Sequence, residues 1–279
     1  MKKILFIISI FPFFTFAQDD LLAGMDSIPN NQKVESAFKG LKIVNIESTK
    51  LVAKGDLYLV IAHRFGSIKD DFEGFFGLDQ ANTQIKFLYG LNNWLTISGA
   101  RSEVAYDFSV KYSLQPQIKD GFPLSIVAFN SLAINNTLKE SNLPKLEFSD
   151  RLTYVAQLLI SRKFSDKFSF ELAPTFFHEN FVANDFQNNN QYAIGFGGRY
   201  KIASRWSVNM DYAAHLNRTN TSSFKNPLSI GVDLETGGHV FQMHFTSSQS
   251  IHEAGYLGQT NGDWTKGNIF FGFNLVRVF

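Results

Sequence analysis

The sequence predicts an all-β protein: a transmembrane, antiparallel, up-and-down β-barrel of about 12 strands, within a range of roughly 10–14. Three observations carry that expectation. Apolar and polar residues alternate with a period of two along most of the chain, as in strands whose two faces meet different surroundings. After residue 17 no apolar run approaches the roughly 18 residues that a membrane helix needs. The final alternating stretch, Ile269, Phe271, Phe273, Leu275, Arg277 and Phe279, is apolar on one face except at Arg277 and finishes on an aromatic residue.

Each element follows in order. Lys2 and Lys3 precede an apolar stretch from Ile4 to Phe16, and Thr15-Phe16-Ala17 supplies small residues for a signal peptidase. Residues 1–17 are therefore expected to be a secretory signal peptide, cleaved after Ala17, and the stretch is too short to anchor in a bilayer. Residues 18–54 form an N-terminal periplasmic segment with three open forms: a tail, a plug, or an extra strand using Ile43, Asn45 and Ile46. Residues 55–279 form the barrel, with strands expected to start near residues 55, 82, 94, 106, 123, 151, 168, 190, 206, 227, 239 and 267.

The alternation is cleanest in a few places. Tyr106, Phe108, Val110 and Tyr112 oppose Asp107, Ser109, Lys111 and Ser113. Trp206, Val208, Met210 and Tyr212 oppose Ser207, Asn209, Asp211 and Ala213, and Phe241, Met243 and Phe245 oppose Gln242, His244 and Thr246. Residues 123–133 are mixed on both faces. Tight turns are expected at 91–93, 165–167, 203–205 and 235–238, and longer polar loops at 66–81, 134–150, 179–189, 216–226 and 249–266. The short connection at 102–105 falls on the long-loop side and breaks that regularity.

Composition narrows the class. Lys plus Arg, 26, nearly cancels Asp plus Glu, 25, so there is no surplus of cations to neutralise nucleic-acid phosphates. The absence of cysteine excludes a disulfide scaffold, a thiolate metal site, a cysteine nucleophile and a lipoprotein anchor. A soluble exported β-sandwich would also alternate. However, the 30 Phe and 9 Tyr suit aromatic girdles at two membrane interfaces better than a sandwich core, which recruits Leu, Ile and Val first.

Several runs carry a family resemblance: His63-Arg64-Phe65-Gly66, Phe75-Phe76-Gly77-Leu78-Asp79, Tyr89-Gly90-Leu91, Gly197-Gly198-Arg199-Tyr200-Lys201, Asn226-Pro227-Leu228-Ser229-Ile230-Gly231-Val232-Asp233, Glu235-Thr236-Gly237-Gly238-His239, Gly262-Asp263-Trp264 and Arg277-Val278-Phe279. Together they resemble an uncharacterised family of outer-membrane β-barrel proteins of Bacteroidetes-type bacteria, a domain of unknown function. The resemblance extends from about Leu41 to Phe279 and is most specific from Asn226 to His239. It implies a fold and a location, and it brings no catalytic residues.

Reactive constellations are weak. His178-Glu179-Asn180 lies where a lipid-acting enzyme could place a site, but as a polar run ending a strand it needs no such role, and it lacks the second histidine of a zinc motif. His239 and His244, five apart on one strand, face opposite ways. Gly195-Phe196-Gly197-Gly198 sits within an alternating strand, where small residues allow close packing or a bend. Lys69-Asp70-Asp71-Phe72-Glu73 with Asp79 gathers carboxylates in one loop, at spacings that fit no EF-hand. No catalytic, metal or cofactor site is therefore expected, and the protein is read as a non-enzyme.

If the apolar set meets lipid, the lumen is lined by Asp56, Arg64, Lys86, Asp107, Lys111, Glu171, Arg199, Asp211, Asp233 and His244. Such a lumen would hold either a narrow water path or cross-paired charges closed by an inserted segment. Phe271, Phe273, Leu275 and Phe279 form the expected C-terminal insertion signal, read by the barrel assembly machinery. The expected function is porin-like passage of small solutes across the outer membrane. The alternatives are a structural or docking barrel and an outer-membrane lipid-modifying enzyme. The expected partners are outer-membrane lipid, the assembly machinery and small solutes, with no nucleic acid.

Overall fold

The computed structural model describes residues 32–70, 75–182 and 187–279. The leader, its cleavage after Ala17 and residues 18–31 lie outside the described residues. Twelve antiparallel strands close into one barrel in chain order, and the last pairs with the first. They are β1 (Leu57–Ser67), β2 (Ala81–Asn92), β3 (Leu95–Ser102) and β4 (Ala105–Gln115). Then come β5 (Ser125–Asn135), β6 (Leu152–Lys163), β7 (Phe168–Glu179) and β8 (Asn190–Lys201). The wall is completed by β9 (Trp206–His215), β10 (Leu228–Thr236), β11 (His239–Thr246) and β12 (Phe270–Val278).

Every strand starts within three residues of where the alternation places it. The largest offset is at β12, because Gly267 takes a left-handed φ of 68° and keeps the chain turned until Asn268. β5 begins after Pro123, which has no N–H to give to the ladder.

Alternation fixes the two faces. Ile85, Phe87, Tyr89 and Leu91 of β2 point outward, while Gln84, Lys86 and Leu88 are buried inward. On β12, Phe271, Phe273 and Leu275 face outward, opposite the buried Phe270, Asn274 and Val276. Phe279 follows β12 and donates its N–H to Leu57 O at 2.9 Å, at the seam that closes the barrel. Among the described residues no helix is long and apolar enough to cross a membrane.

One end of the barrel carries tight turns, including those between β2 and β3 and between β10 and β11. The other carries the long connections, with the short β3–β4 turn as the exception. The nine-residue connection from β4 to β5 lies at the short-turn end and has a partner: Val34 N–H donates to Gln117 O and Lys119 N–H to Gln32 O.

From that contact the chain runs into the barrel. Ala37, Phe38, Leu41, Ile43, Val44, Ile46 and Val52 are all buried, although residues 33–56 form no strand. A tight reversal, closed by Ile43 N–H to Ile46 O and Ser48 N–H to Leu41 O, puts Val44 and Asn45 at its tip. From the opposite end the connection between β11 and β12 folds inward, carrying the short helix α1 (Glu253–Gly258). Ala254, Tyr256 and Leu257 of α1 pack with Ile46 and with Val127, Phe129, Val155, Leu159 and Phe177 of the wall. The mixed pattern of β5 now has a cause: Val127 and Phe129 face an apolar cluster inside the barrel, so both faces of that strand are apolar.

Candidate functional site

The inward residues of the wall divide by charge. Arg64, Lys86 and Lys111 stand on β1, β2 and β4, and Glu171, Asp211 and Asp233 on β7, β9 and β10. Asp107 on β4 and Arg199 on β8 are the exceptions; Gln84 donates to Asp107 and Arg199 pairs with Glu235. All of these side chains are buried, as is His244 of β11. Arg64 and His244 both pack at Gly272, where an added Cβ would come within 2.7 Å of each. Asp56 stands just ahead of β1, half-buried, and its carbonyl accepts the Gly90 N–H.

A buried irregular segment has no ladder, so its backbone polar groups must find other partners. Here the wall supplies them. Asp211 Oδ2 accepts three consecutive backbone N–H groups, from Val44 at 3.1 Å, Asn45 at 2.6 Å and Ile46 at 2.9 Å. Such a run of N–H groups forms a concave donor site that suits one anionic oxygen. Glu171 Oε2 accepts the Thr49 N–H at 2.9 Å. Gln242 donates to the carbonyls of Lys42 and Ile43 and to Asp233. Arg64 donates to Asn45 Oδ1, and the Asn45 amide donates to Ser229 and Thr246.

The reverse arrangement occurs at Glu47. Its Oε1 lies 3.1 Å from the Lys86 ammonium and 3.2 Å from that of Lys42, and its Oε2 lies 2.7 Å from that of Lys111. Burial alone would push the Glu47 carboxyl up, but the Lys111, Lys86 and Lys42 ammonium groups outweigh it and hold it well below the carboxylate range. Lys42 continues the chain of charges to Glu253 of α1, at 2.7 Å. Burial works against the Lys42 ammonium, yet Glu253 and Glu47 outweigh that and raise its pKa above the lysine range. The two elements inside the lumen are thus tied to each other as well as to the wall. Among the described residues, the ion-pair partner of Lys86 and of Lys111 is Glu47 alone.

Glu47, Lys42 and Glu253 are absent from the residues singled out by sequence. The available signal was a lone carboxylate directly after the run Ile43-Val44-Asn45-Ile46, apolar except at Asn45. The glycines of β8 do serve close packing: an added Cβ at Gly197 would meet Ile43 Cδ1 at 2.1 Å, and one at Gly195 would meet Ile46 Cδ1 at 2.8 Å. His178 bonds Asn190, whereas Glu179 accepts from Gln191 and Gln259, so the two diverge. Asp71, Phe72 and Glu73 of the acidic loop lie outside the described residues. Among the described residues no cluster of three or more metal-ligating side chains occurs.

The profile of a family described as "Membrane bound beta barrel domain (DUF5777)" matches residues 38–279. No curated protein matches the sequence. Among solved structures, the COG4313 outer membrane channel from Pseudomonas putida F1 aligns with a TM-score of 0.50 at 13% identity, over 82% of this chain and 97% of that one. The NanC porin aligns at 0.48 and 10% identity, and the KdgM porin at 0.46 and 10% identity, each over 80% of this chain and 98% of the other. At such identities the likeness is one of fold.

Proposed function

The chain belongs to the family of membrane bound beta barrel domains, and from that premise we propose that it is an outer-membrane barrel through which small solutes pass once the N-terminal segment leaves the lumen. The observation that carries this reading is the way the segment is held. The wall closes on itself strand by strand without it. Inside the lumen the polar ties between the two are hydrogen bonds and ion pairs with wall side chains, which water or a solute can replace, beside the apolar packing of Leu41, Ile46 and Val52. Withdrawal of the segment therefore leaves every ladder bond of the barrel in place, and the wall then encloses a water path beside α1.

In this reading residues 1–17 direct export and are removed after Ala17, outer-membrane lipid covers the outward face, and the assembly machinery reads Phe271, Phe273, Leu275 and Phe279. The lumen-lining side chains from Arg64 to His244 set what passes. A lipid-modifying enzyme is the weaker reading, since alternation turns His178 and Glu179 to opposite faces of β7.

Single-channel recording in a planar bilayer tests the proposal. The full chain should be mostly closed, and a variant lacking residues 32–52 should conduct in long openings. If that variant inserts and stays silent, the structural or docking reading replaces passage.

A further inference from the structure

We infer that the lumen contains a binding site for small carboxylate anions, formed by Lys86 and Lys111, which Glu47 occupies in the closed state. The inference rests on the passage reading for its role but on separate geometry for its existence. Lys86 on β2 and Lys111 on β4 project inward two strands apart around the wall. They approach the two different oxygens of one carboxylate, at 3.1 Å and 2.7 Å. That carboxylate belongs to the segment rather than to the wall, and Glu47 is the partner of both ammonium groups.

Several other wall charges keep a partner in the barrel or its loops. Arg199 has Glu235, Asp107 has the Gln84 amide, and Asp233 has the Gln242 amide. Arg64 retains Asn274 and the His63 carbonyl. Departure of the segment removes every hydrogen-bond partner of the Lys86 and Lys111 ammonium groups among the described residues, just as it removes the Thr49 N–H from Glu171. Two neighbouring cations that lose the one carboxylate bridging them favour another anion in its place. Glu47 shows which one fits: a planar two-oxygen group bridging the pair.

The surroundings favour the same side of the lumen. Helix α1 packs against β6, β7 and β9. A small cavity already adjoins the cluster, lined among others by Val60, Gln84, Lys86, Leu88 and Gln242. The body of a short dicarboxylate would lie along Val60 and Leu88, with one carboxylate on the lysines.

The test uses the full chain with Glu47→Gln, which keeps the shape of the side chain and removes its charge. Folding is checked by the heat-dependent gel shift of an intact barrel, and succinate binding is measured by calorimetry in detergent. Succinate should bind Glu47→Gln about tenfold more tightly than the unaltered protein, and adding Lys86→Gln or Lys111→Gln should abolish the gain. Equal binding to both proteins, a gain that survives loss of either lysine, or inorganic phosphate matching succinate would overturn the assignment.

Should Glu47→Gln fail to fold, the chain's lack of cysteine allows a second measurement. A single Ala37→Cys reporter in the otherwise unaltered protein should react faster with a maleimide when succinate competes with Glu47, and no acceleration would overturn the site. Conductance of the same preparations is read separately. Binding without current leaves the site and removes passage, whereas current without binding does the opposite.

Discussion

The two faces of the barrel obey different rules, and β9 displays both. Its outward side chains, Trp206, Met210 and Tyr212, share nothing but apolarity and width. Its inward ones are individually specified: Asp211 holds three N–H groups of the segment, and Ser207 accepts from Arg199. A lipid face needs only to lack charge, so many residues satisfy each outward position. A filled lumen needs each buried polar group matched by one partner, so few residues satisfy each inward position. Tolerance to substitution should differ accordingly: broad outside for apolar residues and closed to charge, narrow inside for shape and open to charge.

The sharpest way to break this comparison is to move a charge from one face to the other. Met210 is 52% exposed on the outward side, and Asn209 is buried beside it on the inward side. An arginine on the lipid face near the midplane costs roughly 2–4 kcal/mol. Met210→Arg should therefore abolish or strongly reduce the inserted, heat-modifiable form. Asn209→Arg places the same charge near Asp211 and Asp233, so insertion should be retained and any loss should fall on the segment. Equal failure of the two variants would mean that the faces of β9 are assigned wrongly.

The sequence carried much of the wall and little of what fills it. Strands and faces are local properties, because a period of two is visible within five or six residues, and this is why even the start of β6 is read to within one residue of Leu152. The lumen contents depend on partners far apart in the chain. Glu47 meets Lys86 across 39 residues and Lys111 across 64. No short pattern encodes such pairings.

Ile43, Asn45 and Ile46 left a strand open as one form of this segment. A strand points successive N–H groups to opposite sides, whereas Val44, Asn45 and Ile46 all direct theirs to one oxygen of Asp211. Two traces of the filled lumen were nevertheless present: the apolar inner face of β5, and the glycines of β8 that make room for Ile43 and Ile46.

Glycine substitution sharpens the comparison within the lumen face, with smaller expected effects. At Gly90 an added Cβ would lie 1.9 Å from Ala53 O and 2.8 Å from Val52 O. Both are backbone atoms of the segment, held by Gly55 N–H to Gly90 O and Gly90 N–H to Asp56 O. Gly90→Ala should thus loosen the segment by roughly 1–3 kcal/mol, the usual cost of overpacking. Trypsin cleavage after Lys50 or Lys54 should accelerate while the barrel stays folded. At Gly197 the obstructing atom is the tip of the Ile43 side chain, which can rotate away. Gly197→Ala should have a smaller effect in the same assay, and a reversed order would indicate that the segment is anchored at its tip rather than at its exit.

The smallest expected response is to pH, and its sign is fixed by Glu47. Its carboxyl is held well below the ordinary range in the closed state, after the three ammonium groups overcome the effect of burial. In the displaced state it regains an ordinary value of about 4.3. A depressed carboxyl stabilises the closed state fully above that ordinary value, and the contribution is lost as pH falls through the depressed one.

Lys50 acts at the other end of the scale. Burial, with help from Lys39, pushes its pKa down to about 8. The displaced state therefore binds more protons at this group between about 8 and its ordinary value of about 10.4, and the closed state gains stability as pH rises through that window. The maleimide reactivity of an Ala37→Cys reporter, corrected for the thiol's own ionisation, reads both groups. It should decrease slightly toward pH 10 and rise steeply only below the ordinary carboxyl value. A rise centred between pH 6 and 7 would mean that a group other than Glu47 governs release of the segment, and the division between a permissive outer face and a specified inner one would need to be redrawn around that residue.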